Sequence, residues 1–252
     1  MKRVSEKKHW DRFWAASREL EDVYGTDNRI IDALEKYVDL HGKSVIEIGA
    51  GTGRDTDILA ERCRDSLALD YSEESLRLMA KSFRNPVKIV CGDALNLPFV
   101  EGSFDIVFHQ GLLEHFREPG YLLDENIRIL RPGGVLLVDV PQRYHYYTVL
   151  KHILIMINKW FAGWETEFSV SELRGLLEAR NLEIIGIYGH NLSPPIWYRG
   201  FRRILLKVGL RLPMYPGRAA FMRPLSRLLR SMVPESLRIN TSMVIGCIAK
   251  KK

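Results

Sequence analysis

The sequence has little cysteine. Cys63, Cys91 and Cys247 lie far apart and show no metal-ligand spacing. That excludes a disulfide framework and a zinc site and fits a reducing compartment. No apolar run reaches the roughly 18 residues needed to span a bilayer. The stretch Met1 to Trp14 is charged and lacks an apolar centre, so it does not read as a secretory signal. These absences together predict a cytoplasmic protein. Acid is scarce in one place only: residues 191–240 hold ten Lys or Arg against one Asp or Glu. The whole chain carries a net charge of +6, so the remainder is slightly acidic. An argument about an anionic partner therefore concerns that segment alone.

What is present suits one sizeable core with room for an insertion: 46% of the 252 residues are hydrophobic. Within residues 5–24, Trp10, Phe13, Trp14 and Leu20 share a helical stripe. The stripe predicts either a helix packed on the domain edge or a lid over the substrate. Ile30, Ile31, Leu34 and Val38 follow at helical spacing, and Gly42 is a plausible stop.

From Ser44 onward strand and helix signals alternate, which predicts a doubly wound parallel α/β sheet. Val45, Ile46 and Ile48 form a buried first strand. Gly49, Ala50, Gly51, Thr52 and Gly53 follow as a G-x-G-x-G turn into a helix. Glycine lets such a turn close and lets a ligand lie against backbone, and nucleotides bind at this end of open α/β sheets. Glu47, two residues before the first glycine, would repel a pyrophosphate but suits a ligand with an ammonium group. A strand over 66–70 ends in Asp70, which can accept from two ribose hydroxyls or simply start the next helix, with Tyr71 or Ser72 near its cap. A third strand over 87–91 leads to Gly92, Asp93 and Ala94. Asp93 can accept from the exocyclic amine of adenine while Ala94 and Leu95 touch the ring. The plain alternative is a turn Asp bonded to its own backbone. A fourth strand over 104–108 runs into His109, Gln110, Gly111, Leu112, Leu113, Glu114 and His115. A helix around 119–130 ends in Leu130-Arg131-Pro132-Gly133-Gly134, a turn before a fifth strand over 135–140.

These five segments, in this order over residues 44–140, resemble a class I S-adenosylmethionine (SAM)-dependent methyltransferase. The resemblance implies a Rossmann-like, doubly wound, seven-stranded sheet whose last strand is antiparallel. It implies SAM as cofactor, held by Glu47, Gly49, Ala50, Gly51, Gly53, Asp70, Tyr71, Asp93, Ala94 and Gln110. It places the loop after the fourth strand beside the sulfonium and the acceptor. His115, and after it His109, are the candidates for a catalytic base, although an acidic acceptor could lose its proton unaided. No metal is implied. The domain reading is an N-terminal helical cap over 1–43 and a methyltransferase domain over 44–252. Strands six and seven are expected over 182–188 and 241–249, with a basic helical insertion over 190–240 between them.

The acceptor is less specified. Tyr144, Tyr146, Tyr147, Trp160, Phe161 and Trp164 surround the apolar patch 153–157, which predicts either substrate specificity or a packed helix. In the insertion, Phe201, Leu205, Val208 and Leu212 form one apolar face, and Phe221, Leu225, Leu228 and Met232 another, each flanked by arginines. Such helices rest on anionic membrane surfaces or form a solvated face. The composition suits a small-molecule, lipid-linked or glycan acceptor and a cytoplasmic enzyme peripheral to membrane. Nucleic acid is disfavoured, because no RNA-binding signature and no N-P-P-Y-like sequence is present. The alternative from another class is a non-catalytic SAM-fold protein that binds a partner through its insertion.

Overall fold

The computed structural model describes residues 7–16, 28–157, 165–191, 198, 201, 204–206, 209 and 232–252. In chain order the elements are α1 (Lys7–Ala16), α2 (Arg29–Tyr37), β1 (Ser44–Ile48), α3 (Arg54–Leu59), β2 (Asp65–Asp70), α4 (Glu73–Ser82), β3 (Val87–Cys91) and β4 (Phe104–Gln110). A short 3-10 turn (Leu113–His115), α5 (Pro119–Ile129), β5 (Leu130–Pro141), α6 (Tyr146–Met156), α7 (Val170–Glu178), β6 (Leu182–His190), α8 (Glu235–Asn240) and β7 (Val244–Lys251) follow.

The sheet has seven strands in the order β3-β2-β1-β4-β5-β7-β6. β1 to β5 are parallel, and β7 runs antiparallel between β5 and β6. This is the seven-stranded, last-strand-antiparallel sheet expected from the sequence. Strand residues alternate between two covered faces, so β1 is buried at every position. Ile46, Ile48, Val107 and Leu136 pack with α5 and α7, whereas Val45, Ile106, Phe108 and Leu137 pack with α2 and Leu59. Ser72 caps α4 by accepting from the Ser75 amide, and Ser169 and Glu172 form a capping box on α7.

Several boundaries differ from the sequence reading: strand six runs on to His190 rather than ending at 188, and strand seven begins at Val244 rather than 241. α3 ends at Leu59 rather than near 63. β4 continues through Gln110, so His109 is a strand residue rather than a loop residue. Leu130 to Gly134 is not a separate turn: Leu130 already pairs with Phe104, and the register jumps to Ile106 opposite Val135. Gly134 is required at this bulge, because a Cβ there would lie 2.9 Å from the Asp105 carbonyl oxygen. The basic faces expected over 201–212 and 221–232 fall largely outside the described residues, as do Trp160, Phe161 and Trp164. Phe201 and residues 204–206 are helical.

Candidate active site

The carboxyl ends of β1, β2, β3 and β4 open into a cavity of about 230 Å³. Gly49, Asp70, Tyr71, Asp93, Gln110 and His115 line it. Ala94, Leu69 and Leu112 supply an apolar wall. Four separate loops thus converge on one space, as expected where an open α/β sheet binds a ligand.

The glycine turn is built on left-handed backbone. Gly49, Gly51 and Gly53 have φ of 65°, 57° and 65°. A Cβ at Gly53 would collide with Phe83 and Met79, so the third glycine lets α3 and α4 pack. Of the three glycines, Gly49 faces the cavity; Gly51, Gly53 and Ala50 hold the turn behind it. Asp70 joins the two functions. It is buried, and its Oδ2 accepts from the Gly51 amide while Oδ1 accepts from the Ser72 amide, each at 2.8 Å. Burial pushes its carboxyl above the usual range, and the amide donors oppose that shift. Its carboxylate also lines the cavity, where it can accept from a ligand hydroxyl. Asp93 Oδ1 accepts from the Leu95 amide at 2.9 Å, so this turn Asp both shapes its own loop and lines the cavity.

Glu47 does not reach the cavity. It is buried behind Gln110, accepting from the Thr56 hydroxyl and, at 3.1 Å, from Gln110 Nε2. The same Nε2 donates to Asp55 at 2.8 Å, and Gln110 Oε1 accepts from Arg29 at 2.9 Å. Arg29 also pairs with Asp139 at 3.2 Å, to which the Tyr188 hydroxyl donates at 2.8 Å. Burial, reinforced by the Asp55 charge, pushes Glu47 up to about 8. Gln110 is thereby held from behind by residues of α2, β1 and α3. Arg29, Asp55, Asp139 and Tyr188 had no signal in the sequence, because they meet only across the folded sheet.

The two histidines separate. His115, on the 3-10 turn, lines the cavity. His109 is fully buried in β4 and does not line it. Burial alone drives its imidazole down to about 3, so it is neutral and shielded from solvent. His109 is therefore withdrawn as a candidate base: strand β4 carries it into the interior instead of into the loop.

Helix α1 borders the cavity. Lys7, Trp10 and Trp14 line the space beneath it. Asp11 accepts from the Ser72 hydroxyl at 2.7 Å and Lys7 pairs with Glu73 at 2.8 Å, fastening the helix to the start of α4. Among the described residues no helix is long and apolar enough to cross a membrane.

Comparison with known proteins agrees with this geometry. The methyltransferase domain family matches residues 46–138. A probable SAM-dependent methyltransferase of Mycolicibacterium smegmatis is 34% identical over 143 residues, covering 57% of this chain and 53% of that protein. The phthiotriol/phenolphthiotriol dimycocerosates methyltransferase of Mycobacterium tuberculosis is 33% identical over 161 residues, covering 61% and 53%. The chain thus spans about half the length of these curated relatives. Among solved structures, a chain from the complex between the Haloferax volcanii Trm112 methyltransferase activator and a methyltransferase aligns over 96% of both chains. Its TM-score is 0.66 at 19% identity, a likeness of fold. The chain carries a class I SAM-dependent methyltransferase domain.

Proposed function

We propose that this domain transfers a methyl group from SAM to an oxygen or nitrogen atom of a small-molecule, lipid-linked or glycan acceptor. The observation that carries this reading is the convergence of Asp70, Asp93, Gln110 and His115 on one cavity. The chemistry of the donor set fits the cofactor. Asp70 can accept from ribose hydroxyls. Asp93, beside the apolar wall of Leu69 and Ala94, suits an adenine ring and its amine. Gln110 lines the cavity with its amide held by Glu47, Asp55 and Arg29, and only the second lone pair of its Oε1 is left to accept from an ammonium group. Tyr71 borders the opening, while Ala50, Gly51 and Gly53 keep the turn in shape.

SAM, when bound, supplies a methyl group on a positively charged sulfur that leaves readily. The chain's own task is therefore alignment. His115, on the cavity wall, accepts the acceptor's proton where that proton is held tightly. Trp10 packs edge-on against the His115 ring and helps to orient it. Helix α1 acts as the cap, whereas α2, expected in that cap, packs on the sheet and belongs with 44–252 to the catalytic domain.

A lipid-linked acceptor is favoured within this class. The Mycobacterium tuberculosis relative is named for acting on dimycocerosates, and the basic surplus of 191–240 suits an anionic membrane surface. The test is calorimetric titration with SAM, followed by turnover to S-adenosylhomocysteine with a cell-extract acceptor and mass spectrometry of the product. Micromolar-range binding and a methylated lipid are expected. Absence of SAM binding overturns the reading.

A further inference from the structure

Helix α6 is inside out. Four of its large apolar side chains face solvent: Tyr146 is 48% exposed, Leu150 49%, Ile153 47% and Met156 69%. They recur at three- and four-residue intervals along one stripe, which the exposed Ile157 continues. The face turned to the protein is charged and polar except for the buried Ile155. Lys151 is only 2% exposed and pairs with Glu165 at 2.8 Å and with Glu167 at 2.6 Å, both buried. The Thr148 hydroxyl donates to the Gln142 carbonyl at 2.8 Å, and His145 caps the helix. A helix on a water-facing surface normally does the reverse. Burying three charges carries a desolvation cost, and four exposed apolar side chains gain nothing from water. The arrangement is favourable when an apolar phase lies outside.

The surroundings indicate which phase. α6 leaves the sheet after Pro141, and the basic segment leaves it after His190 and returns at Val244. These three chain ends are bonded to one another. The Gln142 amide donates to the Met243 carbonyl at 3.0 Å, and the Met243 amide donates to the His190 carbonyl at 3.1 Å. Gln142 Nε2 also donates to the Asn240 carbonyl. The two ends of the basic segment 191–240 are thus rooted beside the start of α6, and Ile204 and Met232 within that segment are exposed as well. An outward apolar stripe next to a cationic surplus complements an anionic bilayer, with hydrocarbon for one and headgroups for the other. At 11 residues α6 is about 16 Å long, too short to span a bilayer and long enough to lie in its interface.

We propose that α6 is an interfacial docking helix: Tyr146, Leu150, Ile153 and Met156 enter the headgroup boundary of an anionic bilayer while residues of 191–240 contact the headgroups. The proposal rests on the membrane-facing reading of the basic segment and is independent of methyl transfer itself. It also joins the membrane to the cavity. The Thr166 amide, between Glu165 and Glu167, donates to the Glu114 carbonyl at 2.9 Å, and Glu114 precedes His115. An acceptor leaving the bilayer at α6 would therefore arrive beside the cavity wall.

The test uses the full chain and the variant Leu150→Gln/Ile153→Gln/Met156→Gln. These positions are exposed, so the fold should persist, and an unchanged melting curve checks it. Sedimentation is measured with phosphatidylglycerol vesicles and with phosphatidylcholine vesicles, at low and at high salt. The unmodified chain should bind the anionic vesicles and retain part of that binding at high salt. The triple variant should lose about tenfold or more in partitioning. Failure of the unmodified chain to bind, or equal binding by the variant, overturns the proposal. So does a dimer in solution that the triple variant abolishes, which would make a second copy the occupant. SAM affinity is measured in parallel. Its absence alongside intact vesicle binding would remove the methyltransferase reading and leave the docking helix standing.

Discussion

Trp10 meets the ring of His115 edge-on, with centroids 4.8 Å apart and planes at 77°. One residue belongs to helix α1 and the other to the turn that follows β4. The contact is the direct link between the cap and the candidate base. Aromatic pairs of this geometry contribute about 0.5–1.5 kcal/mol beyond the area that they bury. The packing of α1 and the orientation of the imidazole are therefore coupled.

Replacing His115 by Ala should lower turnover by roughly 10²–10⁴ if it takes the acceptor's proton, with SAM affinity retained. Full activity of His115→Ala would leave alignment as the whole mechanism. Trp10→Ala should reduce turnover by about tenfold, the upper part of the pair's worth converted to rate. Steady-state kinetics on both variants and on the double variant should show the two effects to be less than additive.

Asp70→Ala should weaken SAM binding by roughly 1–3 kcal/mol, the scale for removing a buried hydrogen-bonding partner. It should also lower the melting temperature, because the Gly51 and Ser72 amides lose their acceptor. Gly51→Val should block binding through the turn, since position 51 has φ of 57° and a β-branched residue resists that conformation. Calorimetry with unchanged affinity in both variants would refute the cofactor assignment.

Glu47 makes a pH prediction whose sign is fixed by linkage. Its carboxyl titrates near 8 in the folded chain, against a reference of 4.5. Between these values the folded state holds a proton that the unfolded state has lost, so stability falls as pH rises from about 4.5 to about 8 and levels off above. Glu47→Gln keeps an acceptor for Gln110 and carries no titrating group. Its stability relative to the parent should therefore rise across that window. Denaturant melts at pH 5 and pH 8 in the apo state compare the two, and parallel pH profiles would contradict the assignment.

Much of the fold was legible because its signals are local. The β-branched run at 45–48 and the glycines at 49, 51 and 53 are each set by neighbours along the chain. Strand register was less legible. The extension of β4 to Gln110, which buries His109, depends on pairing with Val138 and Asp139 of β5. No property of His109's own neighbours announces it.

The amino-acid sequence by itself determined the alternating α/β order, the G-x-G-x-G turn, the acids closing β2 and β3, and the concentration of basic charge in 191–240. Periodicity and backbone preference act over a few residues and need no partner. Tertiary structure alone decided which of these residues face the cavity. It set Glu47 behind Gln110, brought Arg29 of α2 to Asp139 of β5, laid Trp10 on His115, and turned the charged side of α6 inward. The reason is that burial and ion pairing depend on distance in space, and residues such as Arg29 and Asp139, 110 apart in the chain, come together only when the sheet forms.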